Sequence, residues 1–337
     1  MSEVFQLREL SARLGNDEMV VQAGGGNTSL KTATGLWIKA SGTRLSDALE
    51  GDIFLLLPWD QLDHWLAGDQ DVLTGLTPKG RSLRASVETA MHVTMPHRFV
   101  AHTHSVRGIS WLVCPDCDRE LNSRLSGLRW AKLPYVHPGR NLAAAIRDAL
   151  DGRKVDLLLI ENHGLVIGND DPQQLIKYMA EVESRLEVPI RSSRSVVPGS
   201  IRKKIQGWSQ VGGEVDALAF DEDGLRIAGS GTLYPDHCVY LGPSVAVAQS
   251  AECFEDALDE YECHQGMAPK AVFVKAQGAF LREPASEEAR MMLRCLVNVV
   301  NRIEPGSNIR YLPASEVASL VAWEAEAYRR KVAAEMR

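Results

Sequence analysis

The stretch ETAMHVTMPHRFVAHTHS, Glu88 to Ser105, decides how this chain is read. It holds one carboxylate, Glu88, then His92 and His97, then His102 and His104 a single residue apart. The run Phe99-Val100-Ala101 is apolar and partly β-branched, and it predicts a strand leading into the His-x-His. Residues two apart on a strand project to one face, so His102 and His104 aim two imidazoles at one point. Zinc takes nitrogen ligands at roughly 2.0–2.1 Å and, for catalysis, keeps three protein ligands and an open position. A solvated strand face carries the same pair equally well, so a third ligand has to decide between the readings.

That ligand is offered downstream by VDLLLIENHGLVIGND, Val155 to Asp170. The polar Glu161-Asn162-His163-Gly164 interrupts two apolar runs, which is costly unless its polar groups find partners. His163 is the natural third ligand. Glu88 and His92 are four apart, on one face of the helix expected over Ser86–Met95. Glu88 is either a surface glutamate or, turned toward the histidines, a group that takes and returns a substrate proton.

Upstream, Val20–Asp47 reads as strand, glycine loop, strand, turn, strand, glycine loop. The loops are Gly24-Gly25-Gly26-Asn27-Thr28-Ser29 and Ser41-Gly42-Thr43. Unobstructed backbone N–H groups and hydroxyls can cradle a phosphate or carboxylate, although either loop alone is also an ordinary tight turn. Neither has the form of a nucleotide-binding glycine loop opening a helix. Lys79, Arg81 and Arg84 make a small cationic cluster just ahead of the histidine stretch.

The 337 residues, 45% hydrophobic and 24% charged, suit a globular protein of one large or two ordinary domains. A net charge of −7 gives nothing global to attract nucleic acid or an anionic membrane. MSEVFQLREL lacks a signal-peptide core, and no apolar run reaches membrane-spanning length. The six cysteines read as reduced thiols of a cytoplasmic protein. Cys114-Pro-Asp-Cys117 is a lone CxxC without the second pair a structural zinc site needs.

Helices are expected over 3–16, Ser105–Cys114, Asn141–Ala149 and from Pro172 to about Val188. Strands are expected over Asp52–Leu57 and Leu133–Val136, with a polar loop around Asp63–Asp71. Ile190–Ser200 reads as a linker. It separates a metal-binding domain, 1–190, from an α+β region, 201–337. There, strands are expected over Val215–Phe220, Gly224–Ile227, Val239–Leu241, Val245–Ala248 and Ala271–Val274, and helices near Ser286–Arg302 and Ser315–Glu335. His92 and His97 flank the histidine cluster, either as partners that orient the ligands through hydrogen bonds or as ordinary core or surface residues. His137 is a weaker candidate. Asp236-His237 reads as a turn, or as the point where the C-terminal region reaches the pocket.

With GGGNTS, LWIKASGT, ETAMH, HTHS, PYVHPG and ENHG in order over about residues 5–190, the chain resembles the class II aldolase/adducin family. The wording ASVETAMHVTMPHRFVAHTHS is most similar to the aldolase half of bifunctional rhamnulose-phosphate aldolase/dehydrogenases. The resemblance implies an α/β fold with a mixed, largely antiparallel sheet covered by helices, and a smaller α+β C-terminal region beyond it. It implies one divalent metal, zinc or another transition metal, on His102, His104 and His163, with Glu88 as acid/base. Asn27, Ser41, Gly42, Thr43 and Ser86 fall where the family lines the phosphate end of a ketose phosphate. The implied activity is aldol cleavage of a sugar, through an enediolate stabilised by zinc. Family relatives also include sugar-phosphate 4-epimerases, dehydratases and decarboxylases, and the non-catalytic adducin scaffold. A homo-oligomer, a tetramer in the compact members, is implied as well. Two departures stand out: Ser86-Val87 replaces a Ser-Ser pair, and no tyrosine occurs between His104 and Tyr135.

Overall fold

The structure, a computed structural model, describes residues 2–67, 83–191, 205–323, 327–328 and 331–332. It divides into two compact units. The first comprises Met1–Gly108, Asp118–Glu187 and Trp323–Arg337, and the second Ile109–Cys117 and Val188–Ala322.

In the first unit α1 (Glu3–Gly15) opens on Ser2, whose hydroxyl accepts from the Phe5 N–H. Then follow β1 (Asn27–Thr32), β2 (Gly35–Lys39), β3 (Phe54–Pro58), α2 (Trp59–Ala67), α3 (Thr89–Thr94), β4 (Phe99–Thr103) and α4 (Val106–Leu112), which runs on into the second unit. α5 (Asp118–Arg124), β5 (Trp130–Leu133), α6 (Arg140–Leu150), β6 (Leu157–Ile160), β7 (Gly164–Asn169) and α7 (Pro172–Arg185) complete it. The strands form one seven-stranded sheet in the order β3-β2-β1-β4-β7-β6-β5. Every neighbouring pair is antiparallel except β5–β6. The expected mixed, largely antiparallel sheet with covering helices is what the chain forms.

Strand alternation decides what lies on each face. Val100 of β4 is buried with Met91, Met95, Leu142, Ile146, Leu158 and Val166, under α3 and α6. His102, two residues on, continues that face at the end of the strand. Asn27 pairs with His102 across β1 and β4, so both side chains lie on it. Thr28 points the other way and shares a hydrogen bond of 2.6 Å with Ser11 of α1, which places α1 on the opposite face.

The second unit holds β8 (Trp208–Gln210), α8 (Glu214–Ala217), α9 (Glu222–Gly229), α10 (Pro235–Leu241), β9 (Ala246–Ala248), α11 (Phe254–Gln265), β10 (Ala271–Val274), β11 (Gly278–Arg282), α12 (Glu287–Val300) and α13 (Ala314–Ala322). Its four-stranded sheet runs β8-β11-β10-β9, with β9–β10 parallel and the other pairs antiparallel.

Several local expectations change here. Val215–Phe220, Gly224–Ile227 and Val239–Leu241 are helical. Fully buried Asp216 accepts from the Ala279 and Gly212 N–H groups and from Gln210, which turns its segment inward. Asp221 caps α9 through the Gly224 N–H, and Pro235 opens α10. α10 is buried on all sides, so its apolar run has no helical period to read. In the first unit Val20 and Val21 close a turn on the Asp17 carbonyl instead of forming a strand. β1 begins at Asn27, inside the stretch expected to be loop, and the polar segment from Asp63 belongs to α2 as far as Ala67. β5 ends at Leu133, before the expected Pro134–Val136. Most of the linker, Lys79 and Arg81 lie outside the described residues.

Candidate metal centre

Three backbone devices bring the histidines together. His102 lies on β4, opposite Asn27 of β1 and Val166 of β7. His104 follows just past the strand end. His163 sits in the tight turn joining β6 and β7. Asn162 takes the left-handed conformation there (φ 52°), which asparagine tolerates better than most residues. The next residue but one has to be glycine, because a Cβ on Gly164 would lie 2.2 Å from the Thr103 carbonyl oxygen. Gly26 is under similar constraint: it has φ 63°, and a Cβ would come within 2.9 Å of the His102 carbonyl oxygen.

The rings converge. Ring centroids are 4.9 Å apart for His102–His104 and His102–His163, and 5.6 Å for His104–His163. One ligand atom from each lies within 4.8 Å of the others, and all three residues are buried. The His102 Nδ1–H donates to the Leu165 carbonyl at 2.9 Å, which leaves the Nε2 lone pair directed into the cluster. That nitrogen is 3.1 Å from His104 Nε2. Burial lowers the His102 pKa to about 3 against the opposing pull of Glu88, so the ring is neutral and competent as a ligand.

Glu88, at the N-terminus of α3, points into the same space. Its Oε1 lies 3.2 Å from His163 Nε2 and 3.3 Å from His102 Nε2. Burial pushes this carboxyl up, but the hydrogen bond with His163 pulls it down, and the pKa lies well below the usual carboxylate range. Three imidazole nitrogens packed this closely, away from water, are a donor set suited to a divalent transition metal, with the Glu88 carboxylate beside them. The residues therefore fit the metal.

The glycine loops lie beside each other. A Cβ on Gly24 would stand 3.6 Å from the Gly42 carbonyl oxygen. Lys39, buried and not marked by sequence reading, ties them: its ammonium donates to the Gly24 carbonyl at 3.0 Å and the Thr43 carbonyl at 2.6 Å. Lys39→Met should cost about 2–3 kcal/mol, since buried carbonyls lose their donor. Chemical denaturation measures it, and a variant as stable as the wild type would mean the loops hold each other unaided. Ser41 donates its N–H to the Arg84 carbonyl, and the Thr43 hydroxyl turns back onto the Ala40 carbonyl. Ser86 Oγ accepts from the Glu88 N–H at 3.2 Å, leaving its proton for another acceptor.

The remaining candidates have other settings. His97 pairs with Asp156 at 2.9 Å, His137 lies over Trp323 with centroids 4.7 Å apart, and Arg84 lies over Tyr328. Asp236-His237 is part of α10 and not a turn. Tyr135, left without a role by the sequence, has its ring centroid 6.5 Å from that of His163.

Burial lowers His92 and His237 from 6.5 to about 3. Below pH 6.5 the unfolded chain takes up protons that both rings refuse in the fold. Stability is therefore full above that pH and falls as pH drops toward 3, by about 1.4 kcal/mol per pH unit for each ring. Denaturation at a series of pH values checks this, and the slope should shrink in His237→Phe.

A buried three-histidine cluster with an adjacent carboxylate, on a mostly antiparallel sheet covered by helices, makes this an α/β protein with a candidate metal centre. The chain belongs to the class II aldolase and adducin family: the Class II Aldolase and Adducin N-terminal domain matches residues 6–190. It is 31% identical over 180 residues to the uncharacterized oxidoreductase YuxG of Bacillus subtilis (strain 168), across 48% of this chain and 26% of that protein. The match thus spans about a quarter of that relative's length. Among solved structures, it is similar to the N-terminal class II aldolase domain of a conserved protein from Thermoplasma acidophilum. That match has 25% identity and a TM-score of 0.48, over 55% of this chain and 92% of that one. It is also similar to L-fuculose-1-phosphate aldolase from Thermus thermophilus, with 21% identity and a TM-score of 0.38, over 54% and 92%.

Proposed function

We propose that this chain is a metal-dependent carbon–carbon lyase that cleaves a sugar, a ketose phosphate by preference, in an aldol reaction. The observation that carries the reading is the approach of Glu88 Oε1 to two of the three converging histidines, at 3.2 and 3.3 Å. In this reading His102, His104 and His163 hold zinc or another divalent metal. Bound there, the metal supplies Lewis acidity toward substrate oxygens, worth several kcal/mol.

The chain's own residues do the rest. Glu88 takes up the proton that the substrate hydroxyl releases in cleavage and returns it to the substrate carbon, and it runs the same transfer in reverse in synthesis. The loops at Gly24–Gly26 and Ser41–Thr43, with the Ser86 hydroxyl, receive the substrate's anionic end and fix it remote from the reacting bond. Asn27 borders the same loop. Burial of the cluster excludes water from the proton transfer.

Residues 1–190 form the catalytic domain in this proposal. Its likeness is to the aldolase portion of the bifunctional rhamnulose-phosphate proteins, which the match to a longer relative named an oxidoreductase supports. The region from 201 has no assigned chemistry. A cytoplasmic homo-oligomer, a tetramer, completes the proposal, and light scattering tests the assembly. Among the described residues no helix is long and apolar enough to cross a membrane.

The test is to incubate the zinc-loaded protein with a panel of ketose phosphates. Release of an aldehyde is the expected result. Interconversion of isomers without fragments would replace the lyase by an epimerase, loss of water or carbon dioxide by a dehydratase or decarboxylase. A protein that binds no transition metal would point to an adducin-like scaffold.

A further inference from the structure

We infer that His92 and Asn27 form a positioning pair for Glu88, so that the Asn27 carboxamide serves the carboxylate and not the substrate's anion. The inference rests on the reading of Glu88 as the proton-transfer group.

The hydrogen-bond roles follow from the partners. His92 is fully buried, and its ring stands between two side chains of β1: Ser29 Oγ lies 2.7 Å from Nδ1, and Asn27 Oδ1 is bonded to Nε2. A carboxamide oxygen can only accept, so Nε2 carries the ring's single proton. Nδ1 then accepts from the Ser29 hydroxyl. The neutral ring this requires is the one burial enforces.

The orientation of Asn27 is fixed independently. Its Nδ2 donates to Glu88 Oε2 at 2.7 Å and to Ser86 Oγ at 3.3 Å. The reverse orientation would set an amide oxygen against a carboxylate oxygen and an amide N–H against the His92 N–H. Every hydrogen-bonding group of the carboxamide is therefore committed: one oxygen to His92, and two hydrogens to Glu88 and Ser86.

The placement explains the need. Asn27 and Ser29 are two apart on β1 and share the face that His102 occupies on β4. Glu88 and His92 are four apart across the start of α3. The chain Ser29–His92–Asn27–Glu88 thus ties helix to sheet beside the metal cluster. It holds Oε2 and leaves Oε1 facing the histidines. Mutual polarisation along such a chain strengthens each bond, and a carboxylate displaced by an ångström loses its line to the reacting carbon.

The test compares His92→Phe, His92→Gln and Asn27→Ala with the wild type, all zinc-loaded and checked for metal content and circular dichroism. Expected results are full metal occupancy, kcat about 10–100-fold lower in His92→Phe and Asn27→Ala, and KM within about twofold. His92→Gln, which keeps an N–H near the position of Nε2, should recover part of kcat. The double variant should be no worse than the poorer single one, because both cut the same chain. Nitrogen-15 spectra of labelled histidine should show His92 as the neutral Nε2–H tautomer, altered in Asn27→Ala. This arm reads the pair even if no ketose phosphate turns over, a result that would sink the lyase reading alone. An Asn27→Ala protein with raised KM and unchanged kcat, additive losses in the double variant, or a His92 ring protonated on Nδ1 would overturn the inference.

Discussion

His102→Ala yields a folded protein that retains no divalent metal after dialysis. In the proposed ligand set the ring holds the central place: its centroid is 4.9 Å from each of the other two, and its Nδ1–H is anchored to the Leu165 carbonyl. Removing it leaves two imidazoles and a carboxylate. Loss of an outer hydrogen-bond partner alone typically costs about 10–100-fold in metal affinity, and loss of a ligand costs more. The sheet should survive, because Val166 and Asn27 still pair with position 102 through backbone. Elemental analysis reads the outcome directly. Full occupancy in His102→Ala would eliminate the ligand set.

Glu88→Gln should hold its metal and lose turnover by about 10²–10⁴-fold, the range of general acid–base catalysis. The substitution keeps the shape and removes the basic oxygen that lies 3.2 Å from His163 Nε2. It also sets an amide beside Asn27 Nδ2, whose present partner is a carboxylate oxygen at 2.7 Å. Retained metal separates this variant from His102→Ala. Wild-type rates would refute the acid/base role.

The sequence was most legible where spacing alone dictates geometry. His102 and His104 follow an apolar run that forms β4, and ENHG interrupts two strands as a turn needing Asn162 in left-handed conformation and Gly164 under the Thr103 carbonyl. What no local pattern revealed depends on distant partners. Lys39 looks like a surface lysine of a strand until Gly24 and Thr43 are both set above it. His92 could be placed on the Glu88 helix face, but its bonds to Asn27 and Ser29 arise only when β1 lies under α3. In the second unit, residues 215–220, 224–227 and 239–241 read as strands because short apolar runs carry no period. Asp221 capping Gly224 and Pro235 at a helix start were the available signals.

The pairing of Asn27 with His102 has one more consequence. A slip of β1 against β4 by a single residue would put Thr28 opposite His102 and carry the Asn27 side chain to the far side of the sheet. The error that spoils the fold would then be the error that silences the centre. Activity of a refolded sample, divided by its protein concentration, would count the molecules whose strands had come together in the right alignment.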